Sequence, residues 1–206
     1  INVMEQFLQA IPRPVSVISR AIAIDKPFLE FAARFADLPG TVLLASGGSH
    51  DCARYHILAA RPWLTVTAKN GSVTIQTDTR TATFERPPLS AVKQILVRFS
   101  VSDPGLPVPV AAGLFGYLAY DLKDSLEALP RTSIDDLGLP DIYLTVPRLI
   151  LIHDRQTLET TACAPVSRAA GKMRSTSRYE SRAGGGPMRT ASSARRTCSA
   201  ERSASE

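Results

Sequence analysis

Composition breaks sharply after Thr161. Residues 162–206 hold one Val and no Leu, Ile, Phe or Trp, against nine Ser, nine Ala and eight Arg. Ordering a backbone costs about 1–2 kcal/mol per residue, and so little apolar surface cannot offset it. A disordered basic tail is therefore expected over 162–206, leaving residues 1–161 to build the core. That is enough chain for one domain. The Arg, Ala, Ser and Gly mixture is also what a shifted reading frame in GC-rich DNA yields, and a frameshift is the expected origin of the tail.

The same break accounts for the charge. The chain carries a net +5, yet residues 1–161 hold 15 Lys and Arg against 16 Asp and Glu, while 162–206 hold 9 against 3. The basic balance belongs to the tail, so no basic face for nucleic acid is expected on the folded part. Arg195-Arg196 lacks the interleaved aromatics of a single-strand binder and reads as charge on a solvated tail. No run approaches the ~20 apolar residues of a membrane span, and the first residues lack a secretory pattern, so a cytoplasmic chain with no membrane partner is expected. Three cysteines without a CxxC pair argue for reduced thiols. The spacing of His50 and His56 does not suit a structural zinc site.

Within 1–161 the patterning is strand-rich. Val15–Ile24 is dense in β-branched residues and reads as a strand. A helix is expected next, with Asp25 as N-cap, Pro27 in its first turn, Phe28, Phe31, Ala32 and Phe35 at helical spacing, and Gly40 at its end. Thr41–Ser46 reads as a short buried strand and Arg54–Ala60 as another. Trp63–Ala68 and Ser72–Thr77 flank Lys69-Asn70-Gly71, a strong hairpin signal. Pro87-Pro88 opens a helix with Leu89, Val92, Ile95, Leu96 and Phe99 along one face. Ala112–Tyr120 reads as a strand and Asp121–Ala128 as one or two helical turns. Ile142–His153 is a long apolar strand whose Pro147 implies a bulge or an edge. Thr157–Thr161 begins its partner. The fold class expected is α+β: an antiparallel-rich sheet covered by two or more helices, with a disordered tail.

No short motif assembles a catalytic constellation. Gly47-Gly48-Ser49 lacks the Lys of a phosphate loop and reads as a turn. Gly113-Leu114-Phe115-Gly116 lacks the third glycine of a dinucleotide site. Ser49-His50-Asp51 contains triad residue types, but consecutive side chains on an extended segment diverge. Asp135, Asp136 and Asp141 read as a solvated loop with turn chemistry.

Three segments in order do carry a resemblance. They are Val42-Leu43-Leu44-Ala45-Ser46; Ala53-Arg54-Tyr55-His56-Ile57-Leu58, followed by Pro62; and GLFGYLAYD (Gly113–Asp121), continuing through Leu129-Pro130 into DDLGLPDIYL (Asp135–Leu144). Together they resemble the N-terminal region of component I of the chorismate-utilising synthases, the aminodeoxychorismate and anthranilate synthases. The resemblance covers most of residues 15–161. It implies an anthranilate synthase component I-like N-terminal domain over 1–161 and assigns the tail to 162–206.

The resemblance also carries functional expectations. In the family the first two strands line a tryptophan pocket, which makes Ser46, Arg54 and Tyr55 the pocket candidates. Gly113, Gly116, Tyr117, Tyr120 and Asp121 are the structural motif residues. Gly113 and Gly116 suit close backbone approach, and the tyrosine hydroxyls need partners if their rings are buried. The family's acid before the serine is Ala45 here, which removes a partner for a ligand ammonium. The complete family enzyme aminates chorismate with Mg²⁺ and with ammonia from a glutamine amidotransferase subunit. Chorismate and Mg²⁺ bind in the half that this chain does not resemble, so no catalytic residue and no cofactor are expected here, and the chain alone is expected to be inactive. The aminodeoxychorismate branch, which serves 4-aminobenzoate and folate synthesis, is favoured. An anthranilate synthase fragment of tryptophan synthesis and a stand-alone tryptophan-binding module are the alternatives.

Overall fold

The computed structural model describes residues 2–50, 52–101, 105–106, 108–127, 135–169 and 172–173. All lie within Ile1–Arg174, one of two units of the chain; the other, Ser175–Glu206, is outside the described residues. In chain order the elements are α1 (Val3–Gln9), β1 (Pro14–Ile22), α2 (Phe28–Ala33), β2 (Val42–Leu44), β3 (Tyr55–Lys69), β4 (Ser72–Thr77), β5 (Thr81–Glu85), α3 (Pro88–Phe99) and β6 (Phe115–Leu118). A 3₁₀ turn (Tyr120–Ser125), β7 (Ile142–Asp154), β8 (Thr160–Ala169) and β9 (Lys172–Met173) follow.

Two long strands organise the sheet. β3 and β7 pair antiparallel from Tyr55↔Asp154 to Ala68↔Ile142. The register slips between Pro62 and Leu64, where Pro62 faces Pro147 and Arg61 takes a positive φ of 56°. Proline donates no ladder hydrogen bond, so two opposed prolines favour a bulge, and a bulge bends the strand. The bulge lies opposite Pro147 and not on it: the extra residue, Trp63, belongs to β3. Arg54–Ala60 and Trp63–Ala68, read from sequence as two strands, are one strand running through it.

The bulge divides the sheet into halves with different neighbours. Beyond it β4 pairs with Leu64–Lys69, β5 with β4, and β6 with Ile142–Thr145. Before it β2 pairs with Ile57–Ala59, β8 with Ile150–His153, and β1 with β8. The β3–β4 turn has Asn70 at φ 50° and Gly71 at φ 83°, the two left-handed residues that a tight hairpin demands.

Each half has its own core. Over the β4 half lie α1 and α3, packing Met4, Leu8, Ile95 and Phe99 on Leu64, Val66, Ile75 and Ile142. Along α3 the buried residues are Pro88, Ala91, Ile95 and Phe99, whereas Leu96, expected on that face, is 48% exposed. The β2 half is covered on both sides. Val17, Ala59, Ile150, Ile152 and Cys163 pack beneath Val108, Val110 and Phe115, and Leu58, Leu149 and Leu151 pack beneath Phe28 and Ala32 of α2. Double covering explains why β7 is an almost unbroken apolar run.

Several expectations are corrected. Asp25 does not cap α2, which follows Pro27 without a side-chain cap; Asp25 instead binds Arg34 at 3.2 Å. β2 is not buried, because it lies at the sheet margin and turns Leu43 and Leu44 to solvent. Ala112–Tyr120 forms a strand only over Phe115–Leu118, and the expected helical turn is the 3₁₀ turn. The disorder expected from residue 162 fails over Ala162–Ala169, which form most of β8. Strand pairing there is a backbone matter, running from Ser16↔Val166 to Ile22↔Thr160, and small side chains suffice to fill the space around buried Cys163. The rest of the expected tail, 170–171 and 174–206, lies outside the described residues.

Candidate functional site

The three pocket candidates meet at the margin of the β2 half, where the segment after β2 returns into β3. Ser46 follows β2, Arg54 precedes β3 and Tyr55 opens it. The Ser46 hydroxyl donates to the Tyr55 carbonyl at 2.6 Å, and the Ser46 backbone N–H donates to His56 Nδ1 at 3.1 Å. The Arg54 guanidinium lies 4.9 Å from the centre of the Tyr55 ring. It also donates through Nε and Nη2 to Asp154 Oδ2 at 2.9 and 2.6 Å. That ion pair holds the Asp154 carboxyl down at about 2, with backbone N–H groups of Gln156 and Thr157 assisting, and raises the Arg54 guanidinium. Arg54 therefore positions the Tyr55 ring with its charge already met, while Ala45 leaves the site without an acid at the preceding position.

Sequence reading missed the residues that hold this loop. Arg155 donates to the carbonyl oxygens of Gly48, at 3.3 Å, and Ala53, and its backbone N–H donates to the Arg54 carbonyl at 2.9 Å. His56 and His153 are opposite each other in the β3–β7 register, and His153 Nδ1 is 2.9 Å from Thr160 Oγ1. Burial lowers both imidazoles, with the Arg155 charge adding to the effect on His56. The available signal was the pairing of the triplet Arg54-Tyr55-His56 with His153-Asp154-Arg155, and it requires knowing the register.

The second group of motif residues stands apart. β6 pairs at Tyr143 while Tyr55 pairs at Asp154, about 36 Å along β7 at strand rise. Gly116 has φ 148°, and a Cβ there would lie 2.0 Å from the Tyr143 carbonyl oxygen, which is the close approach expected of it. Gly113 has φ 155°, but a Cβ there would meet nothing nearer than Phe115 at 3.9 Å. Tyr117 stacks on Tyr143 at 6.0 Å and is 40% exposed; Tyr120 is 82% exposed, with Lys123 5.0 Å over its ring and Asp121 3.4 Å from Lys123. Neither tyrosine is buried, so their hydroxyls reach water.

Other candidates resolve simply. Asp135 caps the Gly138 N–H at 3.0 Å, and Asp141 accepts the Asn70 N–H at 3.1 Å beneath the hairpin turn. Of the Ser49-His50-Asp51 triplet, Asp51 lies outside the described residues. Among the described residues no three His, Cys, Asp or Glu cluster as a metal site. The partly buried carboxylates Asp141 and Asp154 are engaged by Lys69, Asn70 and Arg54. Mg²⁺ needs oxygen ligands open to it, so these residues do not fit it. No described helix is long and apolar enough to cross a membrane.

Comparison with known proteins gives the family. This chain belongs with component I of the anthranilate and aminodeoxychorismate synthases. It is 37% identical over 84 residues to anthranilate synthase component 1 of Cereibacter sphaeroides, covering 41% of this chain and 17% of that protein. It is 32% identical over 146 residues to the Mycobacterium tuberculosis protein of the same name, covering 68% and 28%. It is 29% identical over 128 residues to aminodeoxychorismate synthase component 1 of Escherichia coli, covering 61% and 28%. The match thus spans from about a sixth to just over a quarter of these relatives' length. The crystal structure of anthranilate synthase component I from Streptococcus pneumoniae superposes on 76% of this chain and 34% of its own, with a TM-score of 0.46 and 22% identity. No protein-family model matches the chain.

Proposed function

We propose that this chain is the non-catalytic, ligand-sensing N-terminal part of a chorismate-aminating component I synthase of the cytoplasm. The convergence of Ser46, Arg54 and Tyr55 at one sheet margin is the observation that supports it. Ser46 fixes the Tyr55 backbone, and Arg54 lies over the Tyr55 ring, so the three make one side of an amino-acid site, with tryptophan as its ligand. In the complete protein a glutamine amidotransferase subunit supplies ammonia, and Mg²⁺ and chorismate are held outside this chain.

Aminodeoxychorismate synthesis is the favoured activity of that complete protein, because Ala45 weakens the ammonium recognition that feedback control by tryptophan requires. Anthranilate synthesis is the second reading, supported by the names of most of the relatives reported above. Disrupting the locus distinguishes them: the favoured reading gives a strain that needs 4-aminobenzoate, the second a strain that needs tryptophan. A strain needing neither overturns both. For the purified chain, no amination of chorismate with ammonia and Mg²⁺ is expected, and calorimetry with L-tryptophan tests the site. Binding that Ser46→Ala abolishes supports it, and binding indifferent to Ser46→Ala sinks it.

A further inference from the structure

Tyr55 and His56 are successive strand residues and face opposite sides of the sheet. On the His56 side, between α2 and the ends of β3 and β7, lies an open cleft of about 510 Å³. Phe28 and Leu158 give it apolar walls, His56, His153 and Arg155 supply its polar groups, and Lys26 stands at its rim. The three rings are nearly parallel. Phe28 lies 5.8 Å from His56 and 5.1 Å from His153, the histidines are 6.1 Å apart, and the interplanar angles are 7–12°. His56 Nδ1 accepts the Ser46 N–H, which places the proton of a neutral ring on Nε2 and makes that atom a donor.

The charges around the cleft are unequal. Asp154, on the neighbouring position of β7, is held by Arg54, and Lys26 is paired with Glu30. Among the described residues the Arg155 guanidinium meets only carbonyl oxygens, those of Gly48 and Ala53. A guanidinium that meets no carboxylate among the described residues, an imidazole N–H and flat apolar walls together suit one chemical class.

We propose that this cleft binds a small aromatic carboxylate, its carboxylate on Arg155 and His56 Nε2–H and its ring against Phe28 and His153. The site is separate from the Ser46–Arg54–Tyr55 face and does not depend on the function proposed for that face. The two are nevertheless joined through the backbone. Arg155 and His56 also hold the loop that carries Ser46, so an occupant of the cleft stiffens that loop from the far side.

The test uses the full chain with benzoate as probe and benzamide and acetate as controls, followed through the imidazole NMR signals. Benzoate is expected to shift His56 and His153 saturably and leave His50 unmoved, with benzamide at least about tenfold weaker, the scale of a lost charge-assisted hydrogen bond, and acetate at least about tenfold weaker because it has no ring to bury. Arg155→Gln is expected to weaken benzoate by about the same factor. Because Arg155 also anchors the loop, a second pair of variants keeps the test decisive. Leu158 is 73% exposed with φ 60°, a conformation that Asp and Asn tolerate better than Leu. Leu158→Asp and Leu158→Asn both remove one apolar wall, but only Leu158→Asp adds a negative charge at the cleft mouth, so it is expected to weaken benzoate several-fold more than Leu158→Asn does. Equal binding of benzamide overturns the role of Arg155. Equal binding of acetate overturns the aromatic walls, and indifference to Leu158→Asp overturns the location.

Discussion

Gly116 and Gly113 look alike in sequence and differ in consequence. At Gly116 any Cβ would collide with the Tyr143 carbonyl oxygen at 2.0 Å, so β6 would have to leave β7. Gly116→Ala is expected to cost more than about 3 kcal/mol, measured by urea denaturation. Gly113→Ala has open space around its Cβ but a φ of 155°, so backbone strain alone is expected to cost about 1–3 kcal/mol by the same measurement, less than at Gly116. A second expectation concerns acid. Burial lowers His56 and His153 below the ordinary imidazole value of 6.5, so the unfolded chain takes up protons first, and stability falls as pH drops below 6.5. The Asp154 carboxyl, held at about 2 against an ordinary 3.8, contributes stability that is present above 3.8 and lost as pH falls from there toward 2. Melting temperatures between pH 7 and pH 2 should therefore decline in two stages. Arg54→Gln should shrink the lower stage, leaving the part that Asp25 contributes through Arg34, and keep the histidine stage in place; an unchanged lower stage would sink the assignment to Asp154.

At the scale of elements, what the sequence showed was local and what it hid was pairing. The hairpin around Asn70-Gly71 and the helix behind Pro87-Pro88 announce themselves within a dozen residues. The joining of Arg54–Ala60 and Trp63–Ala68 into β3 does not, because β7, about ninety residues away, supplies the continuous partner that carries the strand across Pro62. The same applies to the site. Ser46, Arg54 and Tyr55 were reachable through resemblance, while His153, Asp154 and Arg155 became visible only through the register that brings them to the tip. β8 is the sharpest case, since its composition argued against order and its backbone pairing with β1 supplies it. Among the described residues β8 is the neighbour of β1, so a chain ending at Thr161 should strand β1. Hydrogen exchange tests this: amides of Val17–Ile22 should lose protection at least about a hundredfold in a 1–161 chain and keep it in a 1–173 chain. Unchanged protection in the shorter chain would mean that β1 is held by side-chain packing alone.

Over the whole molecule, the margins of the sheet are unevenly defended. β5, at one end of the strand order, carries Thr81, Thr83 and Glu85 outward and is blunted by them. The other margins are apolar: Val15 and Ile18 on β1, Leu43 and Leu44 on β2, and Leu118 on β6 are each more than 40% exposed. Charge does little to keep such margins apart, since residues 1–161 carry 15 basic against 16 acidic side chains and the excess of positive charge lies in the remainder. Apolar strand margins on a nearly neutral body favour self-association. Light scattering should show a mass that climbs with concentration above the 22.2 kDa of one chain. A double variant, Leu44→Lys with Leu118→Lys, places a charge on two of these margins without touching a buried residue, and should return the protein to one chain per particle with its melting temperature unchanged. If the unaltered chain is already monomeric at about 100 μM, or if the lysines leave its mass as high as before, the margins are not the adhesive surface.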